Sequence, residues 1–182
     1  MTRIITLAFL VCAWCGGPSL AADSVWRSPD GTPVPDTEAR KSIDGFGAWL
    51  VVTSDQDWQA KWNTPPHVIP RFTEAKDVKR EGKLTILIFF VNPKPDPRNV
   101  VNIRCDIRVV RPDRSVSVDA KDLSCMEGEL KGSPYNVRRA APVINFVGEP
   151  KDPLGEWRVE VSVTDALRGT SVPVRASFNL QN

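Results

Sequence analysis

Apolar and polar positions alternate along much of the second half of the chain. Between residues 101 and 109 every second side chain is apolar, and the same period recurs at 157–163 and 172–180. A period of two is that of a β-strand with one face in a core and the other in solvent. The almost unbroken apolar run at 84–91 predicts a central strand that is covered on both faces.

Turn chemistry separates these stretches. Asp152, Pro153 and Gly155 occupy the first, second and fourth positions of a type I turn. Residues 55–63 predict one or two helical turns, because Asp55 can cap them and two tryptophans follow at i and i+4. Shorter extended stretches are predicted at 46–52, 115–118 and 137–147. Several short alternating strands separated by turns predict an all-β fold, an antiparallel β-sandwich.

The first 22 residues have the pattern of a secretory signal peptide. A charge at Arg3 precedes about 12 mostly apolar residues, a Gly-Gly-Pro break and a run of small residues. Cleavage after Ala21 and cleavage after Ala22 both fit the pattern. The apolar run is too short to span a bilayer, which takes about 20 residues. We expect a periplasmic or secreted protein with no membrane span after signal removal.

The remaining chain divides into a lead and a domain. Residues 23–44 are polar and rich in Pro, Asp and Gly, and we predict a flexible N-terminal lead there. Residues 45–182 are predicted to form a single β-sandwich domain, of which 45–71 is a Trp-rich N-terminal extension.

Composition excludes one class of partner, and the cysteines indicate the redox state of the compartment. The 182 residues carry 24 Lys+Arg against 22 Asp+Glu, and this near-neutral balance argues against a nucleic-acid binder. Two of the four cysteines lie in the predicted signal peptide. The other two, Cys105 and Cys125, are predicted to form a disulfide in an oxidising compartment, with a loop-closure effect of roughly 3 kcal/mol.

The last hairpin resembles that of immunoglobulin-like domains in bacterial exported proteins. The resemblance rests on Gly155 and Trp157, on the alternating valines up to Asp165, on the short Gly loop and on the closing strand with Phe178. The pattern over 72–182 is similar to such a domain as a whole. It implies a sandwich of seven or eight strands and no particular chemistry. The separation of 20 positions between the cysteines is short for the usual inter-sheet bridge, so we expect a local strand–loop pair.

No catalytic constellation is visible in the sequence. His67 is the only histidine, there is no Gly-x-Ser-x-Gly motif, and the carboxylates are scattered. We therefore predict no catalytic residue, no metal site and no cofactor, and a protein that is not an enzyme.

The aromatic residues are the remaining functional signal. Four of the six tryptophans lie between residues 26 and 62, and Trp is favoured where proteins bind partners. We predict a binding site at Trp49, Trp58, Trp62 and His67. The alternative is that this segment folds over the sandwich and buries its tryptophans as a small second core. Trp157, by contrast, is expected in the main core.

Three functions are compatible with this pattern. The first is an exported interaction or accessory protein, acting through contacts with a protein partner in the cell envelope. The alternative is a carbohydrate- or cell-wall-binding module that stacks sugar rings on Trp58 and Trp62. The third is a hydrolase with an unrecognised site. A flat, exposed pair of these two tryptophans would favour the glycan.

Overall fold

The computed structural model describes residues 24–64 and 70–182, and strands dominate this part of the chain. It therefore confirms the predicted all-β class. Within these described ranges, the strands and the one short helix are, in chain order, β1 (Arg40–Ile43), β2 (Phe46–Thr53), α1 (Trp58–Trp62), β3 (Asp77–Lys79), β4 (Lys83–Val91), β5 (Val100–Val110), β6 (Val116–Glu129), β7 (Arg138–Val147), β8 (Gly155–Asp165) and β9 (Thr170–Gln181).

The strands form two sheets that pack face to face as a sandwich. A four-stranded sheet has the order β1-β2-β4-β7, and a five-stranded sheet has the order β3-β9-β8-β5-β6. Neighbouring strands are antiparallel except β3, which runs parallel to β9. Outside the gaps at 1–23 and 65–69, no helix is long and apolar enough to cross a membrane.

The period-two pattern places the core where it was predicted. The alternating apolar side chains of β5, β8 and β9 are buried, apart from Ala176, which is partly buried, and most of them belong to the core between the sheets. Trp157 is 2% exposed. Its ring lies 5.0 Å from that of Phe146 and 6.4 Å from that of Phe178, measured between centroids. The prediction that Trp157 belongs to the main core is confirmed.

The predicted flexible lead differs from the structure. Trp26 is buried, and its indole nitrogen donates a hydrogen bond to the carbonyl of Lys41. Residues 40–43 form β1, which pairs along its whole length with β2. The sequence of β1 is mostly polar, so local patterning did not predict a strand there.

Strand β6 is longer than predicted, while the unpredicted strands β1 and β3 raise the strand count in the described residues to nine. It continues from the predicted stretch at 115–118 as far as Glu129. Most of its side chains are at least partly exposed, because it is an edge strand with three register shifts against β5. An edge strand of this kind carries no clear alternation for a sequence analysis to detect.

Cys105 and Cys125 lie on neighbouring strands and form a disulfide, with their Cα atoms 5.8 Å apart. Cys125 is the extra residue at a register shift, between Met126, which pairs with Ile103, and Ser124, which pairs with Arg104. The bridge therefore joins two strands at a bulge, and not a strand to a loop as the sequence suggested.

Candidate functional site

The tryptophans singled out in the sequence meet on the outer face of the four-stranded sheet. Trp49, Trp58, Trp62 and Phe72, called the aromatic layer below, are all half-buried there. They surround Phe89, which is fully buried. The ring centroids of Trp49, Trp62 and Phe72 lie 5.4, 5.1 and 5.6 Å from that of Phe89.

This arrangement explains why β4 is apolar on both faces. Its residues Leu87 and Phe89 point away from the main core and pack with Val51 under the aromatic layer. A sheet face of this kind has to be covered, because exposed apolar surface is unfavourable in water. The tryptophans therefore build a second small core, which was the alternative to an exposed binding site.

Asp55 ties together the two parts of the segment that carries the aromatic layer. Its carboxylate accepts a hydrogen bond from the Lys61 ammonium at 2.8 Å and one from the backbone N–H of Thr73, also at 2.8 Å. Burial by itself would raise the pKa of Asp55, but these hydrogen bonds outweigh it and lower the pKa to about 2. The ionised carboxylate thus links α1 to the chain that follows at 70–74.

The geometry does not present Trp58 and Trp62 as a flat, exposed pair. Trp58 lies under the guanidinium of Arg139, 5.6 Å from its ring centre, and Trp62 packs on Phe89. His67 lies outside the described residues. A binding role for these four predicted site residues therefore stays a prediction.

A second surface lies on the opposite side of the molecule. The outer face of the five-stranded sheet contains an open groove of about 500 Å³, called the charged groove below. Three acidic and four basic side chains line it: Glu38, Asp106 and Glu160, with Lys41, Arg108, Lys121 and Arg175.

Strand register orders three of these charges, together with Asp119, which does not line the groove, in a row of alternating sign. Arg175 on β9 pairs with Glu160 on β8, Glu160 pairs with Arg108 on β5, and Arg108 pairs with Asp119 on β6. The Arg108 guanidinium lies 3.3 Å from the Glu160 carboxylate, and that of Arg175 lies 2.8 Å from Glu38.

One wall of the charged groove comes from the predicted lead. The carbonyl of Glu38 accepts the backbone N–H of Arg175, and the carbonyl of Ala39 accepts that of Leu50. Residues 38–39 therefore connect the two sheets. The groove was not predictable from the sequence, because single positions such as Arg108 and Glu160 have the pattern of an ordinary solvated sheet face until their register is known.

A third surface is one end of the sandwich, where four connections meet. These are residues 44–45, 92–99, 130–137 and 166–169, called the loop platform below. Asp165, at its centre, is fully buried. Its carboxylate accepts the backbone N–H groups of Lys94 at 2.7 Å and Arg168 at 3.1 Å, and it pairs with the Arg168 guanidinium at 3.4 Å.

The structure shows no cluster of metal-ligating side chains in the part of the chain that it describes. No three His, Cys, Asp or Glu residues among 24–64 and 70–182 lie close enough together to hold an ion.

No protein-family model and no curated protein matches the chain. Among solved structures, it is similar to a family 123 glycoside hydrolase from Clostridium perfringens, with 12% identity, a TM-score of 0.44, and coverage of 74% of this chain and 27% of that one. A Niemann-Pick type C2 protein from Japanese carpenter ant matches with 13% identity, a TM-score of 0.34 and coverage of 72% and 89%. The C-terminal domain of wzt matches with 12% identity, a TM-score of 0.39 and coverage of 79% and 77%.

The match to the glycoside hydrolase contradicts one prediction. We predicted from the sequence that the chain is not an enzyme, and that prediction is wrong, because a structure similar to this chain is a hydrolytic enzyme. A missing sequence motif does not exclude catalysis, since catalytic groups are brought together by the fold. The chain spans about a quarter of the length of that enzyme, and none of these similarities assigns it an activity, ligand or partner.

Proposed function

We propose that this chain is an exported binding protein that holds a charged segment of a protein partner in the charged groove. The observation that carries the proposal is the row of alternating charges across β9, β8, β5 and β6. The predicted signal peptide supports export, and the disulfide is compatible with it.

The ion pairs within the groove can be exchanged for pairs with a partner at little cost. The side chains of Arg108 and Arg175 are 43% and 49% exposed, and an exposed ion pair contributes only about 0–1 kcal/mol to stability. A polypeptide with charges of both signs could therefore replace these internal pairs. Complementary charges of this kind set the register and the rate of association more than the affinity.

A glycan fits the charged groove less well than a polypeptide. Sugar rings are commonly recognised by stacking on flat aromatic side chains, and none of the described residues that line the groove is aromatic. The chain's tryptophan pair, Trp58 and Trp62, belongs to the aromatic layer on the other sheet. The carbohydrate-binding alternative is thus an outcome of the experiment below and not our proposal.

The strand order supports a finer description of the fold. We infer an immunoglobulin-like sandwich, because β9-β8-β5-β6 faces β2-β4-β7 in the order that the two sheets of such domains adopt. In this class, a sheet face or the loops at one end of the sandwich can carry the binding function.

The experiment is photo-cross-linking in the native envelope fraction. A photoreactive amino acid replaces Ser162 in the groove, in the otherwise unchanged protein and in the double variant Arg108→Glu/Arg175→Glu. The control, Arg114→Glu/Lys151→Glu, makes the same change in net charge at exposed positions outside the groove.

We expect a cross-linked polypeptide with the unchanged groove and with the control, and its loss in the groove variant. Raising the salt concentration should weaken the cross-link, since exposed charges are screened. Cross-linking that persists at full yield in the groove variant would refute the proposal. A cross-linked product that periodate destroys would point to the glycan instead.

A further inference from the structure

Exposed apolar side chains gather at the loop platform. Four of the seven large hydrophobic residues that are exposed in the described chain lie at this end: Ile43, Tyr135, Val137 and Leu167. Tyr135 is 64% exposed and is the only tyrosine in the protein. Apolar side chains that share one end of a protein often mark a contact surface.

Ile43 ends β1 next to the loop platform, the other three side chains lie in its loops, and these loops are tied to one another. The guanidinium of Arg168 donates to the carbonyls of Asp44 at 3.0 Å and Asn92 at 2.9 Å. The Asn92 side chain donates to the carbonyl of Gly45, and its backbone N–H donates to that of Pro134. These hydrogen bonds therefore fix the positions of the four connections, and of their exposed side chains, relative to one another.

The solvent-facing charge of the loop platform is positive. Lys94, Arg98 and Lys131 are exposed, and neither lysine has an ion-pair partner among the described residues. Of the acidic residues at this end, Asp165 is fully buried, and Asp96 accepts the backbone N–H groups of Arg98 and Val100. Asp44 is exposed and accepts a hydrogen bond from the Thr170 hydroxyl at 3.4 Å, so the three exposed cations outnumber the one exposed carboxylate of these loops. The surface thus combines apolar tips with unpaired cations.

We propose that the loop platform docks on a membrane surface that contains anionic phospholipids. The Tyr135 ring and the aliphatic tips of Ile43 and Leu167 would enter the interfacial region, while Lys94 and Lys131 face the phosphates. Tyrosine prefers this region because its ring is apolar and its hydroxyl is polar. A cationic side chain near an anionic bilayer contributes about fivefold in affinity.

The placement of these groups favours a bilayer over an acidic protein. The apolar side chains are spread around the end of the sandwich: Ile43 ends β1, Tyr135 and Val137 lie in one connection, and Leu167 lies in another. A deformable lipid surface can contact side chains that are spread in this way, and its anionic headgroups complement the exposed lysines. This inference is independent of the charged groove, which lies on a sheet face.

The test is co-sedimentation of the exported protein with two kinds of vesicle. One is made of phosphatidylcholine alone, and the other of equal parts phosphatidylcholine and phosphatidylglycerol. The variants are Lys94→Gln/Lys131→Gln, which removes two charges, and Tyr135→Ser, which removes the most exposed apolar tip. The control, Leu154→Ser, removes an exposed apolar side chain at the opposite end.

We expect the unchanged protein to sediment with the anionic vesicles only. The double lysine variant should bind about 25-fold more weakly, at about fivefold per lysine. Tyr135→Ser should also weaken binding, and the Leu154 control should not. Failure to bind anionic vesicles, equal binding to both vesicle types, or equal weakening by the control would overturn the proposal. The Arg108→Glu/Arg175→Glu variant should still bind vesicles, so this test and that of the groove can fail separately.

Discussion

Replacing Asp165 by Asn should destabilise the protein more than neutralising any single exposed charge would. The Asp165 carboxylate is fully buried and receives N–H groups from Lys94 and Arg168 as well as the Arg168 guanidinium. Asparagine has nearly the same shape, but it replaces one acceptor oxygen by an NH₂ group. At least one of these N–H donors then faces another donor, and the guanidinium loses its counter-charge.

The expected cost follows from these contacts. A hydrogen bond to a charged group contributes about 1.5–3 kcal/mol, and breaking a buried ion pair by removing one partner costs about 3–5 kcal/mol. The guanidinium of Arg168 keeps its bonds to the carbonyls of Asp44 and Asn92, which moderates the loss. We expect a decrease of about 3 kcal/mol in the free energy of unfolding, or roughly 6–12 °C in Tm.

Urea unfolding followed by near-ultraviolet circular dichroism would measure the free energy, and a thermal scan would measure Tm. The matched control is Glu160→Gln, because Glu160 also pairs with arginines but its side chain is 34% exposed. The control should cost no more than about 1 kcal/mol. A loss below about 1 kcal/mol for Asp165→Asn would show that this carboxylate does not hold the loop platform together.

The other predictions concern the disulfide, the acid stability and the aromatic layer. Replacing Cys105 and Cys125 by Ser should cost about 2–4 kcal/mol, and full alkylation of both thiols in the unreduced protein would contradict the bridge. The lowered pKa of Asp55 stabilises the fold above pH 3.8, and this contribution, at most about 2 kcal/mol, should be lost as the pH falls towards 2. Tryptophan fluorescence would follow acid unfolding, and Asp55→Asn should remove the Asp55 share of the pH dependence, while that of other carboxylates with lowered pKa values, such as Asp96 and Asp122, remains. Trp62→Ala should cost about 3 kcal/mol because it uncovers buried apolar surface, whereas an unchanged Tm would favour a binding role.

Local sequence patterns predicted those elements whose structure depends on one buried face. A period of two predicted the strands β5, β8 and β9 and the burial of Trp157, because apolar side chains in these strands face the core and polar ones face solvent. The short helix α1 also lies within the predicted helical stretch. Disulfide pairing was predictable too, because the predicted signal peptide leaves only two cysteines.

Elements without a buried face of their own needed the rest of the fold to define them. β1 is a strand because its backbone pairs with that of β2. β6 extends to Glu129 because its backbone pairs with that of β5. The side chains of β1 and β6 themselves show little alternation. Hydrogen bonds between strands satisfy the backbone of any residue, so they leave little trace in the side-chain pattern.

The three surfaces depended most strongly on tertiary structure. The charged groove exists because register sets Arg175 opposite Glu160 and Glu160 opposite Arg108, residues that are 15 and 52 positions apart in the chain. The aromatic layer is packed and not exposed because β4 turns Phe89 outward and needs a cover. Strand formation depends on neighbours along the chain, but a surface depends on which distant strands and loops become neighbours in space, and that is set by packing of the two sheets.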